Sequence, residues 1–183
     1  IVMNNRTQNA QMATMITNIT NIHERTKTII NLILDIKKNE PLRKILILSE
    51  RLEHLERMKK YINDKSEFTT SSYIGGMKEA KLEKAEDADL IFSTYQMSSE
   101  GLDIPSLNTI VLTTSRKNVE QSVGRILRKQ SGYGVQPLIV DIVDNIKQFK
   151  NQGSIRKRYY KKITKEENIN IYKNEDEKFI KQN

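Results

Sequence analysis

Four short runs constrain this chain more than any other feature: KILIL (44–48), DLIFST (89–94), NTIVLTT (108–114) and PLIVDIV (137–143). Each is apolar at consecutive rather than alternate positions. A strand of that kind has both faces withdrawn from water, which is the condition of a parallel sheet covered on each side. A fifth and weaker run, FTTSSYI (68–74), joins them. Helical patterns lie between: NIHERTKTIINLILDIKKN (21–39), stopped before Pro41, ERLEHLERMKKYI (50–62) with Leu52, Leu55 and Met58 inward, a short charged helix MKEAKLEKAED, and NVEQSVGRILRK (118–129). The alternation predicts an α/β fold of three layers around a mainly parallel sheet of about five to six strands.

Such sheets bind ligands beyond the carboxyl ends of their strands. On that edge the runs give way to Ser49, to Thr94, to Thr113 and Thr114, and to Asp141. A polar residue at one strand end is ordinary; four strands ending this way point to a functional rim.

The remaining chain divides around this unit. Residues 1–20 are polar with scattered Met and Ile and read as an arm or linker, with Met3, Met12 and Met15 as gap-fillers. Residues 21–150 form the sheet-bearing domain, and 151–183 a basic helix and tail. DNIKQFKNQGSIRKRYYKKI reads as a helix that Gly153 kinks, and the mixed-charge tail after Thr164 is expected to be mobile. Net charge is +8, and from Asn145 onward eleven Lys and Arg face five Asp and Glu. An acidic partner such as nucleic acid accounts for that surplus, and so does a solvated helix face with its Tyr159 and Tyr160 packed inward. The absence of cysteine excludes disulfides, thiolate zinc sites and Cys nucleophiles. The only two histidines, His23 and His54, are expected on helix surfaces, and no metal site is expected. No apolar run is long enough for a membrane span.

In QSVGRILR (121–128), Gln121, Arg125 and Arg128 fall at i, i+4 and i+7, one stripe of a helix, while Val123, Ile126 and Leu127 face the sheet. Gly124 is expected to let the backbone pack closely. Two guanidinium groups in line suit an anion, and phosphate oxygens match their donor forks. A surface pair bridged to local carboxylates is the plainer account. Upstream, STYQMSSEGLDIP follows a buried strand as a loop, with Thr94 at its start, Gly101 for a tight turn, Asp103 near the same edge and Pro105 beyond.

These stretches carry a resemblance. TYQMSSEGLDIPSLNTIVLTT followed by EQSVGRILR looks like motifs V and VI of superfamily 2 helicases. KILILSERLEHLERM is similar to motif IV, and YIGGMKEAKLEKAEDADLIFSTYQ to the segment that joins IV to V. The likeness covers residues 44–144, and QxxGRxxR beside GLDIP is a specific pair. The wording most resembles helicases of large cytoplasmic DNA viruses, including the poxvirus transcript-release helicase and African swine fever virus-like relatives. DEAD/DEAH and type III restriction motors are similar too.

The resemblance implies a RecA-like (P-loop NTPase-like) lobe, the second of two, offering arginine fingers to ATP bound mainly by the first. Arg125 and Arg128 would reach the γ-phosphate, and Gln121 would orient the nucleotide or the attacking water. Asp103, beside Gly101, would meet the ribose or brace a finger. Thr94, the Gly75–Gly76 turn, and Ser49 or Arg51 would touch the nucleic-acid backbone. Gln121 stands where DEAD-box proteins have His, and Ser122 where they have Arg, so DNA stays open beside RNA as substrate. No GxxxxGK followed by Ser or Thr occurs, nor a DExD/H box, and EDAD (86–89) precedes its strand instead of ending it. The chain is therefore expected to need a first lobe that holds ATP and Mg²⁺, and to be inactive alone. The expected partners are that lobe and a single strand of DNA or RNA. The expected state is a cytoplasmic monomer, in a host cytoplasm, viral factory or virion, acting in viral transcription or replication. Alternatives are a nucleic-acid-binding module without ATPase chemistry, or a type III restriction-like or repair translocase lobe.

Overall fold

The computed structural model describes residues 11–77, 85–100, 104–127, 134–175 and 178–182. Its central strand, β1 (Ile45–Ser49), is buried at all five positions, as its unbroken apolar run requires. β2 (Thr70–Tyr73), β3 (Leu90–Thr94), β4 (Thr109–Leu112) and β5 (Leu138–Asp141) complete one sheet in the order β2-β3-β1-β4-β5. Every pairing is parallel, with Ile47 set between Phe92 and Val111.

Side chains alternate across β1 and so divide the interior into two cores. Ile45 and Ile47, with Leu90, Phe92 and Val111, pack under α2 (His23–Asn39) and α3 (Leu52–Lys65) through Ile29, Ile30, Ile33, Leu55, Met58 and Ile62. Leu46 and Leu48, with Ile91, Ile110 and Leu112, face the opposite layer. That layer is built from α4 (Tyr95–Glu100), α5 (Glu120–Leu127) and α6 (Lys147–Ile163), which contribute Tyr95, Val123, Tyr159, Tyr160 and Ile163. The result is the expected three-layer α/β fold with five strands in its sheet. Leu52, expected inward, is exposed because it opens α3 at the edge of the layer.

Three regions differ from the sequence reading. Residues 12–20 are not extended: α1 (Met12–Thr20) is a helix whose Met15, Ile16 and Ile19 close on Phe149 of α6 as a third small core. Within the described part of the arm, Met12, Met15, Ile16 and Ile19 thus share one apolar helix face. α6 is unbroken through Gly153, so residues 150 and 151 lie inside one helix. Gly153 serves close approach: a Cβ there would sit 2.9 Å from Val143 Cγ1. The tail is ordered as an antiparallel hairpin, β6 (Ile171–Glu175) with β7 (Lys178–Gln182), which leaves Ile171, Tyr172, Phe179 and Ile180 exposed.

At Gly124 an added Cβ meets nothing within 4 Å, so the expected close packing there is not found among the described residues. Gly124→Ala is expected to raise stability by about 0.5–1 kcal/mol through helix propensity alone. Gly153→Ala carries the same propensity gain but drives its methyl into Val143, so it should melt below Gly124→Ala. Adding Val143→Ala should recover the difference. Thermal melts of the three variants check this.

Candidate functional site

Because all five strands run the same way, the segments that follow them gather on one edge. The loop from β4 to α5, residues 113–119, lies at its centre and is bound from several directions. Thr113 Oγ1 donates to Leu48 O at 2.6 Å, and Thr114 Oγ1 accepts from Glu50 N at 2.9 Å. The buried Tyr95 hydroxyl donates to Thr114 O at 2.6 Å. From α2, Arg25 donates to Thr113 O at 2.7 Å and to both carboxylate oxygens of Asp144. Ser98 of α4 and Ser122 of α5 share a buried hydroxyl contact of 2.8 Å.

The tightest anchor comes from α6. Arg156, 1% exposed, donates through Nε and Nη2 to the two oxygens of Asp141, both at 2.8 Å. Its Nη1 donates to Arg116 O at 2.6 Å, and Tyr160 Oη donates to Asp141 at 3.0 Å. Burial by itself would lower the Arg156 pKa, but the hydrogen bonds and charge of Asp141 outweigh it and raise the value. Burial, with Asp141 adding to it, pushes the Tyr160 hydroxyl well above its ordinary range. Arg156 therefore stays a cation and Tyr160 a donor at any working pH. Arg116 itself lies over the Tyr95 ring at 5.3 Å and pairs with Glu50 at 2.8 Å, yet keeps 38% of its side chain exposed.

The rim residues named from sequence meet different fates. Gln121 is exposed in the first turn of α5, the helix that leaves the carboxyl edge. Arg125 is placed one turn beyond it by the α5 backbone, but its side chain lies outside the described residues, as do Arg128, Gly101 and Asp103 entirely. Thr94 does not open a loop: its Oγ1 accepts from Met97 N at 3.3 Å and so starts α4, which occupies the first half of STYQMSSEGLDIP. Gly75 and Gly76 form an exposed turn, and Gly76 has φ +81°, a conformation glycine adopts freely. Ser49 is fully buried and spent on His54 and Arg51 N. It offers no surface to a phosphate, which corrects its expected role as a strand contact. Arg51 donates to Thr17 Oγ1 and to Ala13 O, fastening α1 to the start of α3. Asp141, Thr113 and Thr114 likewise hold the frame together.

His54 corrects a further expectation, since it is buried rather than on a helix surface. Its ring nitrogens face Ser49 Oγ at 3.1 Å and Thr26 Oγ1 at 3.3 Å. Burial first, then the charges of Arg25 and Arg57, lower its pKa to about 3. Tyr95 went unnoticed in sequence, and Arg156, read there as one of the basic residues offered to phosphates, is instead sealed against Asp141. The one signal for its inward place was spacing: Arg156 falls at the inward register of α6 with Phe149, Gly153 and Tyr160. Among the described residues no three His, Asp or Glu converge as a metal site, and no helix is long and apolar enough to cross a membrane.

A parallel five-stranded sheet with helices on both faces is the architecture of a RecA-like lobe. The profile of the helicase conserved C-terminal domain matches residues 24–130, and the chain belongs to that family. It is 40% identical over 167 residues to a protein of Acanthamoeba polyphaga mimivirus provisionally named ATP-dependent RNA helicase L396, covering 87% of this chain and 31% of that one. It is 34% identical over 89 residues to QP509L of African swine fever virus, a protein with the same provisional naming, covering 48% of this chain and 18% of that one. The chain thus spans less than a third of these relatives. Among solved structures, the C-terminal domain of the DEAD-box protein Dbp5 superposes with a TM-score of 0.58 at 13% identity, covering 74% of this chain and 79% of that one. The T4 protein UvsW gives 0.59 at 18% identity, covering 84% and 36%. At these identities the likeness concerns the fold.

Two outcomes follow from the frame. His54 is neutral in the folded chain, whereas the unfolded chain protonates it below about pH 6.5. Its contribution to stability is therefore complete above about pH 6.5 and declines as pH falls toward about 3, by up to about 1.4 kcal/mol per unit. Denaturant titrations across that window should show the decline, and His54→Gln should flatten it. Arg156→Ala leaves Asp141 without its guanidinium, with only the Tyr160 hydroxyl beside it, and should cost about 3–5 kcal/mol in the same titrations, as broken buried ion pairs do.

Proposed function

We propose that this chain is the second motor lobe of an ATP-dependent superfamily 2 helicase or translocase acting on nucleic acid in viral transcription or replication. The observation that carries the reading is the placement of QSVGRIL (121–127): Gln121 stands exposed at the start of α5, and Arg125 lies one turn further along the same helix backbone. The loop beneath that helix is bound by Arg25, Tyr95 and Arg156. In this reading Gln121 orients the nucleotide or the attacking water, and Arg125 and Arg128 stabilise charge on the γ-phosphate. Guanidinium fingers suit that task because their planar forks match phosphate oxygens and need no rearrangement when charge develops.

ATP supplies the phosphoryl group, and the first lobe holds most of it together with Mg²⁺. Among the described residues the rim offers the exposed Gln121 amide and the partly exposed Arg116 guanidinium, and no cluster of three His, Asp or Glu that could hold a metal is found. Asp103, beside Gly101, meets the ribose or braces a finger. In this reading Thr94 and the Gly75–Gly76 turn contact the nucleic-acid backbone. The names of the mimivirus and African swine fever virus relatives favour RNA as substrate. The setting is cytoplasmic and the working unit is a monomer of two lobes.

In a protein that carries both lobes, Arg125→Ala and Arg128→Ala should each lower ATP turnover by about 10³-fold or more while nucleic-acid binding persists. Turnover equal to the parent protein overturns the finger assignment.

A further inference from the structure

α6 has two faces of opposite character. Phe149, Gly153, Arg156 and Tyr160 point into the domain, spaced at i, i+4, i+7 and i+11. On the opposite side, Lys147, Lys150, Arg158, Lys161 and Lys162 are all exposed. At about 100° per residue these five fall within about 120° of the helix circumference, and Asn151 and Ser154 fill the gap between them. The sequence of α6, KQFKNQGSIRKRYYKKI, contains no carboxylate. Lys161 reaches Glu166 beyond the helix end. Among the described residues the structure pairs none of Lys147, Lys150, Arg158 and Lys162 with an acid. The two tyrosines that sequence placed amid this charge are turned to the core: Tyr159 and Tyr160 pack against the sheet, and Tyr160 bonds Asp141. The outer face is therefore charge without aromatics.

We propose that the outer face of α6 is a second nucleic-acid contact, separate from the α5 rim, which takes the phosphate backbone of a single strand without reading its bases. The inference rests on the nucleic-acid reading above and adds a site to it. A rigid stripe of cations about 22 Å long, at the helical rise of 1.5 Å per residue, matches an extended line of phosphates. With no outward aromatic, it has nothing on which bases can stack, so contact is through charge alone. An anionic membrane surface is a poorer match, because the apolar side of α6 is already buried in the domain and cannot insert.

The test uses the 183-residue chain and a fluorescein-labelled mixed-sequence single-stranded oligonucleotide, titrated from 50 to 200 mM salt. Lys147→Gln, Lys150→Gln, Arg158→Gln and Lys162→Gln are combined in one variant. Affinity at low salt should fall at least tenfold, and the slope of log affinity against log salt should shrink by about 2–3, as loss of three to four phosphate contacts demands. A companion variant with Arg at all three lysines should bind as the parent does. Circular dichroism and melting temperature should match across all three proteins, since the changed side chains touch no core. A glutamine variant with unchanged affinity and slope overturns the proposal, and so does a parent chain that binds no oligonucleotide at 50 mM salt. Equal affinity for polyglutamate, lost in the same variant, overturns the nucleic-acid assignment in favour of an acidic protein. None of these outcomes depends on ATP, so each is distinguishable from failure of the finger assignment.

Discussion

The Arg156–Asp141 pair is the interaction on which the rim depends. A guanidinium 1% exposed would be costly to bury alone. Here its planar fork is filled: two donors meet Asp141 and the third nitrogen meets the carbonyl of Arg116. One residue thereby joins three elements that are remote in sequence, namely the last strand of the sheet, the loop that leads into α5, and the C-terminal helix. Lysine could not replace it, because a single ammonium has no fork to span a carboxylate and a carbonyl at once.

Around that clamp, most polar groups at the strand ends are consumed by the frame. Ser49 serves His54, Thr113 and Thr114 bridge β4 to β1 and to Glu50, and Asp141 serves Arg156 and Tyr160. Among the described residues, what remains for ligands is a smaller set: Gln121 on α5, the half-exposed Arg116, and the Gly75–Gly76 turn. On the function proposed above, a lobe that holds fingers still against a partner needs such a division. Groups that touch a ligand are held by neighbours already satisfied, so their positions do not relax when the ligand leaves.

Much of the fold was legible in sequence because burial on both faces leaves a mark that survives without tertiary knowledge. The runs at 44–48, 89–94, 108–114 and 137–143 each became a strand of one parallel sheet, in three layers as expected. The α1 helix was not legible, since nine residues with only Met15, Ile16 and Ile19 inward carry too little apolar signal until Phe149 is placed beside them. The hairpin at 171–182 was missed for a related reason: its apolar residues fall on both faces, so no alternation announces a strand. His54 looked like one polar residue on a charged helix, and only the packing of α2 against α3 shows that it is enclosed.

Periodicity placed Gln121 and Arg125 on one helix, composition located the basic surplus near the C-terminus, and the resemblance of the motifs to those of a known family pointed to a helicase lobe. These are statements about residue order and periodicity, which the local backbone obeys wherever it sits. Tertiary structure alone decided which polar groups face inward. Arg156 and Arg158 are two residues apart and chemically alike. Two residues along a helix is a turn of about 200°, so one is sealed against Asp141 and the other stands in water.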